Sequence, residues 1–429
     1  MSSPSRLRNH AARTIVEQML HRVVGGTVAL SGPGTGRTRA VFGDPAARDA
    51  AASVAVEITV HDPRVYERVL RQSSVGLGEA YADGWWDADD LTAFLRLSLR
   101  SLRPTHARRD RFHQLVTPMV DPVLRLRRPD PARDARHVRA HYDLGNDFFA
   151  QLLDETMAYS CAVFDRPGIS LADASREKFD RLARLLDLRP GDRLLEIGTG
   201  WAGFALHAAQ RYGCLVTTTT ISQRQYEHAC TRVAAAGLED RVTVLDLDYR
   251  ELRGTYDKAI AIEMIEAVDW RDYPAFFEQV RGSLTDDGAL AMQAIVAADD
   301  SFDRLKRGSD FIKAAIFPGG CLPSVRALTR AAASDGGLTL QAHTEMGTHY
   351  AETLRRWRAN LDATGGDLSR YGLDERFRRL WSFYLAYCEA GFDERYIGAV
   401  QLLYATPGFA ERCATSSARR PGDVESVSR

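Results

Sequence analysis

The residue types and spacing best suited to chemistry in this chain stand in Arg193-Leu-Leu-Glu-Ile-Gly-Thr-Gly-Trp-Ala-Gly203. Leu194, Leu195 and Ile197 form a short apolar run of the kind a buried strand needs. Gly198 and Gly200 then permit positive φ and close backbone approach, and Phe204 to Gln210 reads as the helix that follows. With Gly203 the loop fits Gly-x-Gly-x-x-Gly, a cradle for an adenosyl cofactor that does not by itself choose which one. A nicotinamide enzyme would also carry an acid about 20 residues further on, closing the next strand, to hold the ribose hydroxyls. Here that strand, Leu215 to Ile221, runs through Thr-Thr-Thr-Thr-Ile and on to a serine, while the acid, Glu196, stands inside the first strand.

The elements that must position this loop alternate. A helix to Leu186 precedes the glycine-loop strand; a helix, the strand at 215 and a helix from Gln223 to Ala235 follow it. Val242 to Leu247 and Lys258 to Ile262 read as strands, then come a helix through Phe277 to Leu284 and a strand Ala289 to Ile295. Strands separated by helices of this length predict a parallel sheet with crossovers, an α/β doubly wound, Rossmann-like domain. Tyr350 to Leu361 and Glu375 to Ala390 read as helical insertions over the carboxyl edge of that sheet, where ligands bind in such folds. Ahead of it, residues 1–120 read as a smaller α+β domain, with a helix at Ala12 to Val24, a strand at Val54 to Val60 and the pair Trp85-Trp86, whose commonest use is as core anchors. Prolines at 104, 118, 122, 129 and 131 break long helices, so a linker is expected at 121–140, the catalytic domain at 141–412 and a disordered tail at 413–429.

With 429 residues and 45% hydrophobic content the chain can bury large cores. Fifty-six basic residues against 57 acidic ones leave a net charge of −1, which argues against a nucleic-acid partner. Locally, Ser101 to Ala140 holds ten arginines against four aspartates, a stretch that suits anionic lipid headgroups or a solvated linker equally well. Six cysteines without CxxC or metal-ligand spacing predict free thiols, no metal and a reducing cytoplasm. No apolar run approaches the roughly 18 residues of a membrane-spanning helix. Any membrane contact is expected to be peripheral, at the inner face, through the basic stretch and apolar residues near Phe311 to Phe317. The sequence leaves a homodimer open.

Longer motifs narrow the reading. With Glu196 ahead of the glycines, the loop resembles S-adenosylmethionine (SAM) methyltransferases more than dehydrogenases. His141-Tyr-Asp-Leu-Gly-Asn-Asp-Phe-Phe149, Leu153-Asp and Met157-Ala-Tyr-Ser-Cys161 precede the first strand. Together with Gly76-Leu-Gly-Glu-Ala-Tyr-Ala-Asp-Gly-Trp-Trp86, Ile316-Phe-Pro-Gly-Gly-Cys-Leu-Pro-Ser324 and, more weakly, Asp44, they resemble the cyclopropane-fatty-acyl-phospholipid synthase family over about residues 50–410. The resemblance implies a class I SAM methyltransferase fold. It places Tyr159 and Ser160 over the SAM site, Gly198 and Gly200 on its amino-acid part, Thr220 and Gln225 on the ribose, and Tyr249 and Arg250 beside the adenine.

The chemistry so implied is attack by the π bond of an unactivated cis alkene on the sulfonium methyl, which leaves a carbocation. The site must then exclude water and offer a base for one proton. In the family that base is a bound bicarbonate, whose holders map to the Cys161 backbone, Glu266, a histidine, the Ile295 backbone and Tyr350. This chain departs at three places. Gln293 stands where the family usually has that histidine, Ala267 follows Glu266 where histidine is common, and Thr199 replaces the usual loop cysteine. The combination resembles a branch of actinobacterial methyltransferases that make 10-methylene-stearoyl lipids from oleoyl phospholipid, upstream of a separate reductase. If the base takes a proton from the new methyl of the first cation, a cyclopropane closes. If a 1,2-hydride shift comes first, loss of a methyl proton leaves an exocyclic methylene. Gln293 can orient an anion but lacks an imidazole that titrates near neutrality; a delay of deprotonation or steric control of the cation would each favour the methylene. A cyclopropane synthase, an ordinary O- or N-methyltransferase and a non-catalytic lipid-binding protein are the competing readings.

Overall fold

Val56, Ile58 and Val60 are buried while their neighbours Ala55, Glu57 and Thr59 are not, so the strand Val54–Val60 covers a core with one face only. The computed structural model describes residues 4–32, 40–43, 54–103, 105, 107–108, 145–334, 336–363, 368–371 and 373–418. That strand is β3 of a four-stranded sheet formed with β1 (Gly26–Ser31), β2 (Ala40–Gly43) and β4 (Trp86–Ala88), in the order β2-β1-β3-β4. Helices Pro4–Leu20 and Arg64–Ala82 belong to the same unit. Trp86 is an anchor as expected: it is buried and its indole Nε1 donates to Leu77 O at 3.1 Å. Its neighbour Trp85 lies under the guanidinium groups of Arg64 and Arg68.

The second sheet contains β5 (Arg193–Ile197), β6 (Leu215–Thr220), β7 (Val242–Asp246), β8 (Tyr256–Ile262), β9 (Leu284–Ala297), β10 (Thr339–Glu345) and β11 (Ile397–Ala405). Their order is β10-β11-β9-β8-β5-β6-β7. β5 pairs in parallel with both β6 and β8, so the winding reverses there and a crevice opens beyond the carboxyl ends of β5 and β8. The expectation of a parallel sheet holds for β5 to β9 and fails at one edge. β11 runs antiparallel to both β9 and β10. The reason lies in the connection: after β10 the chain forms helices Gly347–Ala363 and Glu375–Asp393, and re-enters the sheet from the same end. A strand entered that way must run backwards, and the two helices stay above the crevice.

Those helices also join the two sheets. Phe383 and Trp381 share one apolar core with Trp86 and Phe94 of the first unit. Arg379 donates to Tyr81 O at 2.7 Å, to Trp86 O at 2.9 Å and to the Asp87 carboxylate at 2.7 Å. Arg96 and Arg100 pair with Glu394 at the far end of the same helix. The expected linker 121–140, together with Asp44, His141 and Asp143, lies outside the described residues. Where a tail was expected from 413, helix Pro407–Ala418 continues past Cys413, its start held by buried Phe409 and by the bond from Phe409 N to Thr406 Oγ1. Among the described residues no helix is long and apolar enough to cross a membrane.

Candidate functional site

The turn after β5 is built on backbone that a side chain would resist. Gly198 has φ +99° and Gly200 φ +52°; a Cβ on Gly200 would project into open space, the cradle that a cofactor needs. Gly203 opens helix Gly203–Tyr212, and a Cβ there would stand 2.5 Å from Thr156 O, so this turn and the Thr156 segment fit only because residue 203 has none. Glu196 is fully buried at the end of β5, with Thr218 Oγ1 donating to it at 2.6 Å and lying 2.8 Å from Thr199 Oγ1. Burial pushes its carboxyl up to about 8. At the end of β6, Thr220 Oγ1 donates to Gln225 Oε1 at 3.0 Å, a hydroxyl and an amide placed where a dehydrogenase would carry its acid. After β7, Asp248 caps the turn holding Tyr249 and binds the Arg250 guanidinium at 2.8 and 2.7 Å.

Beyond the end of β8 lies a second cluster. The Glu266 Oε1 accepts from Ile295 N at 2.5 Å, while its buried Oε2 has no partner among the described residues. Burial, and after it the charge of Glu263, pushes the Glu266 carboxyl up to about 8. Glu263 itself takes most of the donors. Cys161 N and Gln293 Nε2 each donate to its Oε1 at 2.8 Å, and Tyr350 Oη donates to its Oε2 at 2.5 Å. Gln293 is oriented from behind, because Gln401 Nε2 donates to its Oε1 at 3.0 Å. Lys178, also buried, donates to Ser160 Oγ at 2.6 Å and brings a positive charge near Glu263 and Glu196.

One cavity of about 1080 Å³ connects all of this. Of the residues expected from sequence, Tyr159, Ser160, Glu196, Gly198, Gly200, Thr220, Gln225, Tyr249, Arg250, Glu266, Ile295 and Tyr350 line it. Cys161 and Gln293 do not. They are fully buried behind Glu263, because the backbone N–H of one and the amide of the other are turned onto that carboxylate. The residues around the glycine loop fit SAM: an open glycine cradle, a buried hydroxyl–amide pair and the Tyr249–Arg250 turn face a single space. They do not fit a separately bound bicarbonate, since the donors expected to hold one are spent on Glu263 and, for Ile295 N, on Glu266.

Sequence reasoning missed Glu263, Lys178, Asp248 and Gln401 as members of the site. Lys178 left a signal: it sits in step with the buried Ala174 and Leu182 on the inner face of helix Leu171–Leu185, a place where a solvated lysine does not belong. Asp248 stands next to an expected pair, and Glu263 three positions before the expected Glu266. The apolar run Phe311 to Phe317, expected to dock on a membrane, is instead turned inward. Phe311 and Ile316 are buried, with Phe311 packed edge-on against Phe383, because this segment lies under the helix Glu375–Asp393.

Comparison with known proteins agrees with this geometry. Residues 130–402 match the family model described as mycolic acid cyclopropane synthetase. The chain is 37% identical over 373 residues to the tuberculostearic acid methyltransferase of Mycobacterium tuberculosis, covering 85% of this chain and 86% of that one. It is 32% identical over 357 residues to the cyclopropane-fatty-acyl-phospholipid synthase of Escherichia coli, covering 82% and 88% respectively. A mycolic acid cyclopropane synthase solved with S-adenosylhomocysteine (SAH) and CTAB superposes with a TM-score of 0.59 at 31% identity, over 63% of this chain and 98% of that one. With a SAM cradle, a pair of carboxylates at the cavity wall and matches of this length, the chain belongs to the mycolic acid cyclopropane synthetase family and is a SAM-dependent methyltransferase.

Proposed function

We infer that this enzyme methylates the cis double bond of an oleoyl phospholipid and leaves a 10-methylene acyl chain. The observation that carries the reading is the continuity of the cavity. At one end it is polar, bounded by the glycine loop, Thr220 and Gln225; in the middle stand Glu263, Glu266 and Tyr350; at the other end it is aliphatic, reaching Leu30, Ile58, Val65 and Leu99 of the first unit. Such a space takes a sulfonium donor and a long acyl chain at once. A small polar metabolite would leave the aliphatic end empty.

Bound SAM supplies an electrophilic methyl group. Gly198 and Gly200 would hold its amino-acid part, Thr220 and Gln225 its ribose, and Tyr249 and Arg250 its adenine, with Tyr159 and Ser160 over the reacting end. The remaining residues govern the cation that methyl transfer leaves on the lipid. Tyr159, Phe317 and Tyr384 present ring faces or edges to the same space, where aromatic quadrupoles stabilise positive charge. They also keep water from it. Tyr159 Oη and Tyr384 Oη are bonded to each other at 2.9 Å, which holds the two rings in place against this space. The lipid end opens where exposed Met19, Leu70 and Leu102 meet the cavity, near exposed Ile15 and Val24. This rim would rest on the bilayer, as a peripheral contact without a spanning helix. The described cysteines are free thiols, which suits the cytoplasmic leaflet. A methylene product would be the substrate of a reductase.

Lipids made by a host expressing the chain with oleate supplied test the reading by proton NMR. Olefinic methylene signals are expected. High-field cyclopropane signals would replace the product assignment, and neither signal would refute the reading.

A further inference from the structure

Glu263 closes β8 with φ +50°, a left-handed conformation that costs a side-chain-bearing residue about 1–2 kcal/mol relative to the right-handed one. The strain is held by its own N–H donating to Gln293 O at 2.8 Å. A strained residue of this kind at a cavity wall marks a position chosen for what its side chain does. Its side chain is half-buried at the cavity wall, and the carboxylate is met by three donors: Cys161 N, Gln293 Nε2 and Tyr350 Oη. A carboxylate has about four acceptor positions, so two donors on Oε1 and one on Oε2 leave one open on Oε2. Glu263 lines the same cavity as Tyr159, Glu266 and Phe317.

We propose that Glu263 is the base of the reaction, a carboxylate built into the chain at the place where the family resemblance implies a bound bicarbonate. The proposal rests on the methyl-transfer reading above. The alkene π pair bonds to the methyl carbon as the C–S bond breaks onto sulfur. A hydride then moves to the neighbouring cationic carbon, leaving the charge on the methyl-bearing one. Finally a C–H bond of the transferred methyl breaks; its electron pair becomes the methylene π bond and the proton goes to Oε2 of Glu263, to be lost to solvent as product leaves. Tyr350 and Gln293 hold the base, and Glu266, whose Oε1 is on Ile295 N, stands beside it. Burial raises the Glu263 carboxyl above its ordinary value, the direction that makes a carboxylate a stronger proton acceptor, and the three bonds and the charge of Lys178 oppose part of that rise.

Two variants test this in full-length enzyme on dioleoyl phosphatidylglycerol vesicles. Glu263→Gln keeps the shape and is expected to lose at least about 100-fold in kcat with SAM affinity unchanged. Glu263→Gly relieves the backbone strain and exposes the three donors; its activity is expected to be restored at least tenfold by bicarbonate or formate. Wild-type turnover is expected to be the same in carbon dioxide-free buffer as with added bicarbonate. Retained activity in Glu263→Gln, or wild-type dependence on bicarbonate, overturns the proposal. Binding of 13C-labelled bicarbonate, followed by NMR, is independent of substrate: it is expected in Glu263→Gly and absent in wild type, and binding to wild type overturns the proposal too. Wild type inert on the vesicles in either buffer would count against the lipid reading instead, and the NMR result would still decide whether Glu263 fills the anion site.

Discussion

Gln293 shows how one residue's meaning changes when its partners are known. Its amide accepts from Gln401 and donates to Glu263 and to Cys161 O, so it is a fixed donor that orients the Glu263 carboxylate. Gln293→His is therefore expected to weaken the hold on Glu263 and lower kcat about tenfold or more, while proton NMR still shows methylene product. Appearance of cyclopropane would return control of the product to this side chain. Glu266 gives a pH test. Its folded-state carboxyl is raised to about 8 from an ordinary value near 4.5, so the native state holds a proton that the unfolded chain releases. The associated stability is complete below about 4.5 and is lost as pH rises through about 8. In the ligand-free enzyme the decline of Tm between pH 5 and 8 is expected to be shallower in Glu266→Gln than in wild type. Glu196, raised to about 8 as well, leaves part of the slope in place.

Among the elements, the joint between helix Arg64–Ala82 and helix Glu375–Asp393 decides whether the acyl channel stays closed. The two come close at Gly78, where a Cβ would lie 2.5 Å from the Phe311 ring and 2.8 Å from that of Phe383. Phe311 sits just before a turn of π-helix, Ile312–Ile316, that carries the chain into the Phe317 wall of the cavity. Gly78→Ala must push these rings apart, and a loss of about 1–3 kcal/mol is expected from urea unfolding. An unchanged midpoint would show that the joint is loose.

For the molecule as a whole, the first sheet supplies the aliphatic half of one continuous cavity. Ile58→Trp fills that half far from the glycine loop and is expected to raise the apparent KM for oleoyl vesicles at least about tenfold, with SAM affinity by calorimetry unchanged. Equal loss of both affinities would mean that the sheet serves folding alone. At the rim, Met19→Asp together with Leu70→Asp removes two exposed apolar side chains from the proposed bilayer contact; vesicle sedimentation is expected to fall about tenfold or more. Undiminished sedimentation would move the contact elsewhere on the surface.

Local rules were enough for much of this. β5, β6 and β8 and the helices between them were legible because apolar runs, glycines and caps act over a few residues. Twelve of the expected site residues line the cavity for the same reason: their order within motifs is a property of the chain alone. What was not legible depends on contacts across long separations. β11 turns antiparallel because the helices before it stay at one end of the sheet. Phe311 is buried because a helix some 70 positions later covers it. Glu263 could not be told from any other strand-end acid until Cys161, 102 positions before it, and Tyr350, 87 after it, were brought onto its carboxylate. The sequence by itself determined that a SAM cradle and a buried acid would meet at the end of a doubly wound sheet. Only the tertiary structure decided which acid receives the donors, because desolvation and hydrogen bonding act through space and have no period along the chain.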